Sequence, residues 1–140
     1  MTDSGPAVLR VLESALYVDD LDRAAAFFRD VMGLEPMVEA PGRLVAMNAG
    51  GATVLLLFHR GSTSAGLESA GGWIPPHDGA GPVHMAFAID DVAAWEAHLA
   101  AHRVAIESRV NWDRGGTSLY FRDPDGHSIE LATRGTWPTW

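Results

Sequence analysis

Three side chains that could bind a cation lie far apart in the chain: Glu13, His84 and Glu130. Glu130 stands inside an apolar segment, between Ile129 and Leu131, directly after the turn sequence DPDGHS. A carboxylate in such a segment either faces solvent or is held by a positive group. The chain has no cysteine, so only His, Asp, Glu and neutral oxygens can be protein metal ligands. Two carboxylates and one imidazole suit Mn²⁺, Fe²⁺, Ni²⁺, Zn²⁺ or Mg²⁺ and leave coordination positions open.

An internal repeat relates the parts of the chain that carry these side chains. ESALYVDDL (13–21) matches HMAFAIDDV (84–92), with apolar positions on apolar positions and an Asp-Asp pair on an Asp-Asp pair. AMNAGGATVLLLFHRG (46–61) matches YFRDPDGHSIELATRG (120–135), with turn on turn and Arg-Gly on Arg-Gly. The offsets are 71 and 74 residues, in the same order. Two matches at nearly one offset indicate a duplicated module.

The repeat predicts where the candidate ligands meet. Glu13 matches His84, and Glu130 matches Leu56. If the two modules pack about a pseudo-twofold axis, these four positions converge near that axis. Glu130 is then expected to be held by a divalent cation that Glu13 and His84 share, with one metal ion per site.

Each module is predicted to be a βαβββ unit, which makes the protein an α+β fold of paired modules. Either Asp of each Asp-Asp pair can cap the helix that follows, because its carboxylate accepts from free N–H groups of the first turn. The predicted strands lie at 10–18, 35–39, 43–48, 53–59, 83–89, 104–110, 117–122 and 127–133, and the predicted helices at 21–32 and 91–102. We interpret residues 1–140 as one domain, with modules at 9–61 and 83–135 and a linker at 62–82.

Side-chain alternation along the strands predicts which residues share a face with Glu130. Ser118 and Tyr120 fall on that face, where either could orient a substrate or take part in proton transfer. Arg114, in a turn, could reach an anionic substrate or serve only the turn. His127 also lies in a turn and is expected at the surface.

Composition limits the classes of partner. Asp and Glu number 18 against 10 Lys and Arg, and the basic residues are scattered, so a nucleic-acid partner is not expected. No apolar run is long enough to span a membrane, and the start lacks the basic and apolar regions of a signal peptide. The expected location is the cytoplasm, and the expected partner is a small molecule or another protein chain.

The sequence resembles the vicinal oxygen chelate superfamily, which includes glyoxalase I, extradiol dioxygenases, and fosfomycin- and bleomycin-resistance proteins. The resemblance is carried by LESALYVDDLDRAAAFFRDVMGLE (12–35), GPVHMAFAIDDVAAWEAHLAA (81–101) and SLYFRDPDGHSIELAT (118–133). It implies paired modules around a U-shaped mixed sheet with a metal in its cleft. The family's ligand positions correspond to Glu13, His84 and Glu130, and in glyoxalases also to Leu56.

Two departures from the family pattern leave the function open. Glu13 replaces the usual first-strand His or Gln, and Leu56 replaces the fourth-strand Glu of glyoxalase I. One hypothesis is a metal-dependent lyase, isomerase or dioxygenase acting on a small molecule that binds the metal through adjacent oxygens, with Glu130 and Tyr120 as catalytic residues and Leu56 as an apolar wall. The alternative is a metal-free protein of the bleomycin-resistance type that sequesters a drug.

Residues 62–82 and the C-terminal tail suggest further features. The segment STSAGLESAGGWIPPHDGAGP is long for a connection in a small domain, so it is either a linker or a lid whose Trp73 closes over the ligand. The many tryptophans and the tail TWPTW (136–140) offer apolar surface that favours a homodimer.

Overall fold

The structure, a computed structural model, describes residues 5–140, in which ten strands and two helices occur. The first module contains β1 (Glu13–Val18), α1 (Leu21–Asp30), β2 (Glu35–Ala40), β3 (Leu44–Asn48) and β4 (Val54–His59). The second contains β7 (His84–Ala88), α2 (Val92–Ala101), β8 (Ser108–Asn111), β9 (Thr117–Arg122) and β10 (Ser128–Ala132). A short hairpin of β5 (Leu67–Ser69) and β6 (Gly72–Ile74) lies between them. Residues 1–4 of the predicted 1–140 domain lie outside the described residues.

The two modules have the same sheet topology. Their four-stranded sheets have the orders β1-β4-β3-β2 and β7-β10-β9-β8. In each sheet the first strand pairs in parallel with the last, and the other neighbours are antiparallel. This arrangement confirms the α+β class and the paired βαβββ modules predicted from the sequence.

Both helices begin where the Asp-Asp pairs predicted. The second Asp of each pair is the cap: Asp20 accepts from the backbone N–H of Arg23 at 3.0 Å, and Asp91 from that of Ala94 at 2.9 Å. A carboxylate there satisfies an N–H group that has no partner within the helix.

The modules share one apolar core. Leu16 of β1, Phe28 of α1 and Ile129 of β10 are completely buried within it. Aromatic pairs cross between the modules, with ring centroids 6.5 Å apart for Phe28 and Phe87. Leu99 of α2 is also completely buried in this core. The helices are thus held by contacts with the apolar faces of the sheets, which turns the opposite faces outward.

Three features differ from the sequence-based prediction. β1 begins at Glu13, later than expected, and β8 begins at Ser108 because residues 104–107 run as irregular chain. Residues 62–82, predicted without regular structure, contain the β5–β6 hairpin, whose tip is exposed. Within residues 5–140, neither helix has the length and apolar character needed to cross a membrane.

Candidate functional site

Glu130 is the centre of a polar group on the outward face of the second sheet. Its side chain is largely buried, with 7% of the residue exposed. One carboxylate oxygen, Oε1, lies 3.2 Å from His84 Nε2, and the other, Oε2, accepts from Ser118 Oγ at 2.5 Å. The indole N–H of Trp112 donates to Ser118 Oγ at 2.8 Å. Glu130 therefore lies between the imidazole of His84 on one side and the hydroxyl of Ser118, which donates to it, on the other.

The hydrogen bonding of His84 leaves one ring nitrogen suited to a cation. Nδ1 lies 3.0 Å from the backbone carbonyl of Ser128, which can only accept, so Nδ1 carries the proton of that bond. In the neutral ring, Nε2 then presents a lone pair towards the Glu130 carboxylate. Two electron-rich atoms that face each other need a proton or a cation between them. In metal-ligating histidines, the ring nitrogen that does not bind the metal usually donates its N–H to a carbonyl or carboxylate, as Nδ1 does here. The pair of His84 Nε2 and Glu130 Oε1 therefore fits a divalent cation.

Tyr120 adds a hydroxyl beside this pair. It faces Glu130 directly in the register of β9 and β10, and its ring stacks near that of His84 with centroids 6.1 Å apart. Burial raises the pKa of Tyr120, and the charge of Glu130 raises it further. The phenol therefore stays protonated at neutral pH and can donate a hydrogen bond.

The first module presents the corresponding face without the same chemistry. Glu13 pairs with Val54 as His84 pairs with Ser128, and Leu56 pairs with Ala15 as Glu130 pairs with Ala86. Leu55 and Leu57 are 1% and 0% exposed in the core, whereas Leu56 is half-buried and lies outside it. Leu56 therefore lies on the face that carries Glu13, in line with its match to Glu130 in the repeat.

A single chain does not bring the whole predicted triad together. Among residues 5–140, no three His, Cys, Asp or Glu side chains lie close enough to hold a metal ion as a group. Glu13 is exposed on β1, apart from the His84–Glu130 pair. Both β1 and β7 are edge strands of their sheets. The metal site of Glu13, His84 and Glu130 stays a prediction that needs a further arrangement of modules.

Two cavities of different character lie near Glu130 and its polar neighbours. A shallow cavity of about 300 Å³ lies beside Tyr120 and Ser128, and the ion pair of Arg122 with Glu107 forms part of its wall. A larger cavity of about 510 Å³ lies between the modules, and its lining, which includes Phe87 and Trp95, contains no titratable side chain. Tyr120, which faces Glu130, thus lies at the smaller cavity, and Ala86, on the other side of Glu130 in the register, lines the larger one.

The other predicted ligand-binding residues lie in different places. Ser118 is completely buried, and its hydroxyl is engaged by Glu130 and Trp112, so it orients the carboxylate. Trp73 lies on the exposed hairpin with 57% of its surface accessible, and Arg114 lies in the exposed turn between β8 and β9. The roles of Trp73, Arg114 and Ser118 towards a substrate stay predictions.

Two residues were missed or misplaced by the sequence analysis. Trp112 lies just past β8, where nothing in the pattern indicated that its indole would reach Ser118. His127 was expected at the surface, and this is wrong: it is 1% exposed and hydrogen-bonded through both ring nitrogens. The DPDGH turn, rather than facing solvent, packs against the first module, where Asp125 accepts from the backbone N–H of Asp19 at 2.9 Å.

The base of the segment 62–82 is held by contacts with the rest of the protein, whereas its hairpin is exposed. At the base, Thr63 is completely buried, and its carbonyl accepts from the backbone N–H of His77 at 2.9 Å. His77 Nδ1 lies 2.6 Å from the hydroxyl of Tyr17, and the His77 ring packs edge-on against Phe58 with centroids 4.7 Å apart. The β5–β6 hairpin, which carries Trp73 on β6, is exposed along both strands. The lid role stays a prediction, and it concerns this hairpin.

Comparisons with known proteins agree with this architecture. Residues 10–131 match the model of the Glyoxalase/Bleomycin resistance protein/Dioxygenase superfamily. The crystal structure of lactoylglutathione lyase from Agrobacterium tumefaciens is 38% identical, with a TM-score of 0.84 over 96% of this chain and 99% of that chain. A probable lactoylglutathione lyase from Vibrio parahaemolyticus is 29% identical over 87% of this chain and 88% of its own length. TnmS3, an antibiotic binding protein from Streptomyces, is 25% identical with a TM-score of 0.68, over 91% of this chain and 98% of that chain. The chain therefore belongs to the glyoxalase, bleomycin-resistance and dioxygenase superfamily.

Proposed function

We propose that this protein is a divalent-metal-dependent enzyme of the glyoxalase type, which acts on a small molecule with adjacent oxygen atoms. The observation that carries the proposal is the facing pair of His84 Nε2 and Glu130 Oε1, with Nδ1 of the same ring bonded to a backbone carbonyl. Glu130, His84 and Glu13 would hold the cation. When bound, a cation there would polarise the substrate oxygens as a Lewis acid.

The site is completed by a second copy of the chain, which supplies Glu13. Within the described residues 5–140, β1 and β7 each have one unpaired edge. The segment before β1 exposes apolar side chains, with Leu9 and Leu12 at 89% and 58%. The accessible surface is 8771 Å², whereas a compact monomer of this mass exposes about 7,000 Å². A homodimer that joins β1 of one copy to β7 of the other would cover this surface and would place Glu13 beside the partner's candidate ligands.

The protein side chains have separate roles in this proposal. Glu130 is oriented by Ser118, so its carboxylate keeps one direction and can act as base towards a substrate proton. Tyr120, with its raised pKa, donates a hydrogen bond to an oxygen on which negative charge develops. Ala86 lies opposite Glu130 in the register, and its small side chain leaves room for the substrate.

Lactoylglutathione is the first compound to test, since relatives at 29% and 26% identity bear the name lactoylglutathione lyase. Leu56 leaves this chain one protein ligand short of the glyoxalase I pattern, so a related substrate with the same adjacent oxygens is the second choice. The dioxygenase outcome is tested in parallel with aromatic diols and Fe²⁺. The cytoplasmic location expected from composition stays a prediction.

The metal content of the protein, purified without chelators, tests the main proposal. We expect about one Mn²⁺, Fe²⁺, Ni²⁺, Zn²⁺ or Mg²⁺ per site and its loss in Glu130→Gln, which keeps the shape of the side chain but removes its charge. Tyr120→Phe should retain the metal and lose activity. No metal after soaking with each cation would contradict the proposal and would favour a metal-free protein that binds a small molecule; TnmS3, with the same fold, is an antibiotic binding protein.

Mixed dimers test whether two copies share the site. Glu13→Ala and His84→Ala should each abolish metal binding in homodimers, since alanine leaves no ligand atom at either position. A mixed dimer of the two variants has one site with both defects and one intact site, so mixed dimers separated from the two homodimers should bind metal at half of their sites. If each site lay within one chain, every site would carry a defect and nothing would be restored.

A further inference from the structure

His127 occupies the point where three parts of the fold meet. It directly precedes β10 and is 1% exposed, which is rare for a polar ring unless it is hydrogen-bonded. Its backbone N–H donates to Asp123 Oδ1 at 2.8 Å, which fixes the main chain of the turn. Its ring then reaches two other segments, one on each side.

The partners of the ring define its protonation without ambiguity. The backbone N–H of Val83 can only donate, and it lies 3.0 Å from Nδ1, so Nδ1 is unprotonated. The backbone carbonyl of Tyr17 can only accept, and it lies 2.9 Å from Nε2, so Nε2 carries the proton. His127 is therefore a neutral ring with one fixed tautomer and both nitrogens satisfied.

The Nδ1 contact acts on the strand that carries His84. Val83 directly precedes His84, and its carbonyl also accepts from the backbone N–H of Ser128 at 2.8 Å. The carbonyl of Ser128 in turn accepts from the His84 ring at 3.0 Å. Residues 127 and 128 thus hold both backbone groups of Val83 and one ring nitrogen of His84. These contacts set the direction in which His84 Nε2 points.

The Nε2 contact acts on β1, the strand that begins with Glu13. The Tyr17 carbonyl lies in this strand and also accepts from Arg60 at 3.2 Å. The contact therefore ties the strand of one candidate ligand to the strand of another. Because the connection passes through backbone atoms, it transmits position and not protons.

We propose that His127 is a positioning residue for the metal centre: its Nδ1 contact aims His84 at Glu130, and its Nε2 contact fixes β1 against the second module. The inference rests on the proposed function for its consequence in metal binding. The two contacts have different effects. Loss of the first misdirects a ligand, and loss of the second weakens the packing of the modules.

Three substitutions separate the two contacts. His127→Asn keeps an acceptor oxygen near the place of Nδ1 but is too short to reach Tyr17. His127→Gln keeps a donor near the place of Nε2 and loses the acceptor for Val83. His127→Leu removes both contacts. His59→Asn, at an exposed position of β4, is the matched control.

Metal titration and urea denaturation of each variant give the decisive comparison. We expect His127→Gln to bind the metal about 10–100-fold more weakly, as for other residues that orient a ligating histidine. His127→Asn should bind nearly as the wild type does, although its unfolding midpoint is lower. If His127→Asn and His127→Gln lose metal affinity equally, or if neither loses any, the positioning role is wrong. This comparison does not depend on the folding of His127→Leu.

A spectrum of the ring nitrogens without metal separates failure of this inference from failure of the proposed function. ¹⁵N–¹H correlation should show the Nδ1–H form of His84 in the wild type and in His127→Asn, and a changed signal in His127→Gln. If the wild type binds no metal but this pattern holds, only the proposed function is wrong. If the wild type binds metal and the His84 signal is the same in all variants, the positioning role is wrong.

Discussion

His84 and Glu130 meet diagonally across β7 and β10, with 3.2 Å between Nε2 and Oε1. In the register, His84 lies opposite Ser128, and Glu130 lies opposite Ala86. The two side chains meet because Ala86 has no bulk to separate them. A diagonal contact of this kind is within reach of long side chains on one face of a sheet.

The size of Ala86 is therefore expected to control the site. Ala86→Leu should place a branched side chain beside Glu130 and lower metal affinity at least 10-fold, since ligands must be held close to their productive geometry. Stability should change little, because Ala86 is exposed. Isothermal titration with Mn²⁺ and Zn²⁺ measures the affinity. Ala88→Leu, two residues further along the same face, is the control, and an equal loss there would contradict the prediction.

The position of Leu56 is expected to provide a fourth metal ligand when the residue is changed to Glu. It corresponds to Glu130 in the register of the first module and lies outside the core. Leu56→Glu should raise metal affinity and lower native activity, because a fourth protein ligand takes a position that substrate would use. Melting curves with and without metal measure this.

The neighbouring position provides the control for that change. Leu57 is completely buried, so Leu57→Glu should destabilise the fold by several kcal/mol through an unpaired buried carboxylate, with no rescue by metal. If Leu56→Glu behaves in the same way, the assignment of Leu56 to the cleft face is wrong.

Trp73 is expected to affect ligand binding without affecting stability. It lies in the exposed strand β6 of the hairpin, so Trp73→Ala should change the free energy of unfolding by less than about 0.5 kcal/mol. If the hairpin closes over the cleft, the KM for lactoylglutathione or another substrate found by the assay should rise several-fold. Trp137→Ala, also exposed at 67%, should leave KM unchanged. Equal KM values for the wild type, Trp73→Ala and Trp137→Ala would show that Trp73 does not act as a lid.

Asp123 is expected to make stability depend on pH. It is 4% exposed, its Oδ2 has no partner among the described residues, and burial raises its pKa. The folded-state pKa of Asp123 thus lies above the unfolded value of about 3.9, so folding favours the protonated carboxyl. The stability that comes from the protonated form is complete below the unfolded pKa and is lost as pH rises through the raised, folded-state pKa.

Asp123→Asn removes this titration and keeps an acceptor oxygen for the backbone N–H groups of Asp125 and His127. The wild type should therefore lose stability relative to this variant as pH rises from about 4 towards neutral. Urea denaturation over that range measures the difference. A difference in stability between the wild type and Asp123→Asn that does not change with pH would contradict the prediction.

Local patterns in the sequence determined the elements and the faces of the strands. Asp20 and Asp91 cap their helices because a carboxylate before the first turn is a short-range contact, fully specified by neighbouring residues. The buried Leu55 and Leu57 and the outward Leu56 follow from the period of two in a strand. The repeat predicted two matching sheets because both halves carry the same order of patterns.

Only the tertiary structure decided how these elements meet. The repeat predicted that Glu13 converges with His84 and Glu130, because it indicates which face of its sheet each residue occupies. The distance between Glu13 and the other two depends instead on how the two modules pack. The burial of His127 and the reach of Trp112 to Ser118 arise between segments far apart in the chain. Such contacts depend on the summed packing of the shared core, and no local period encodes them.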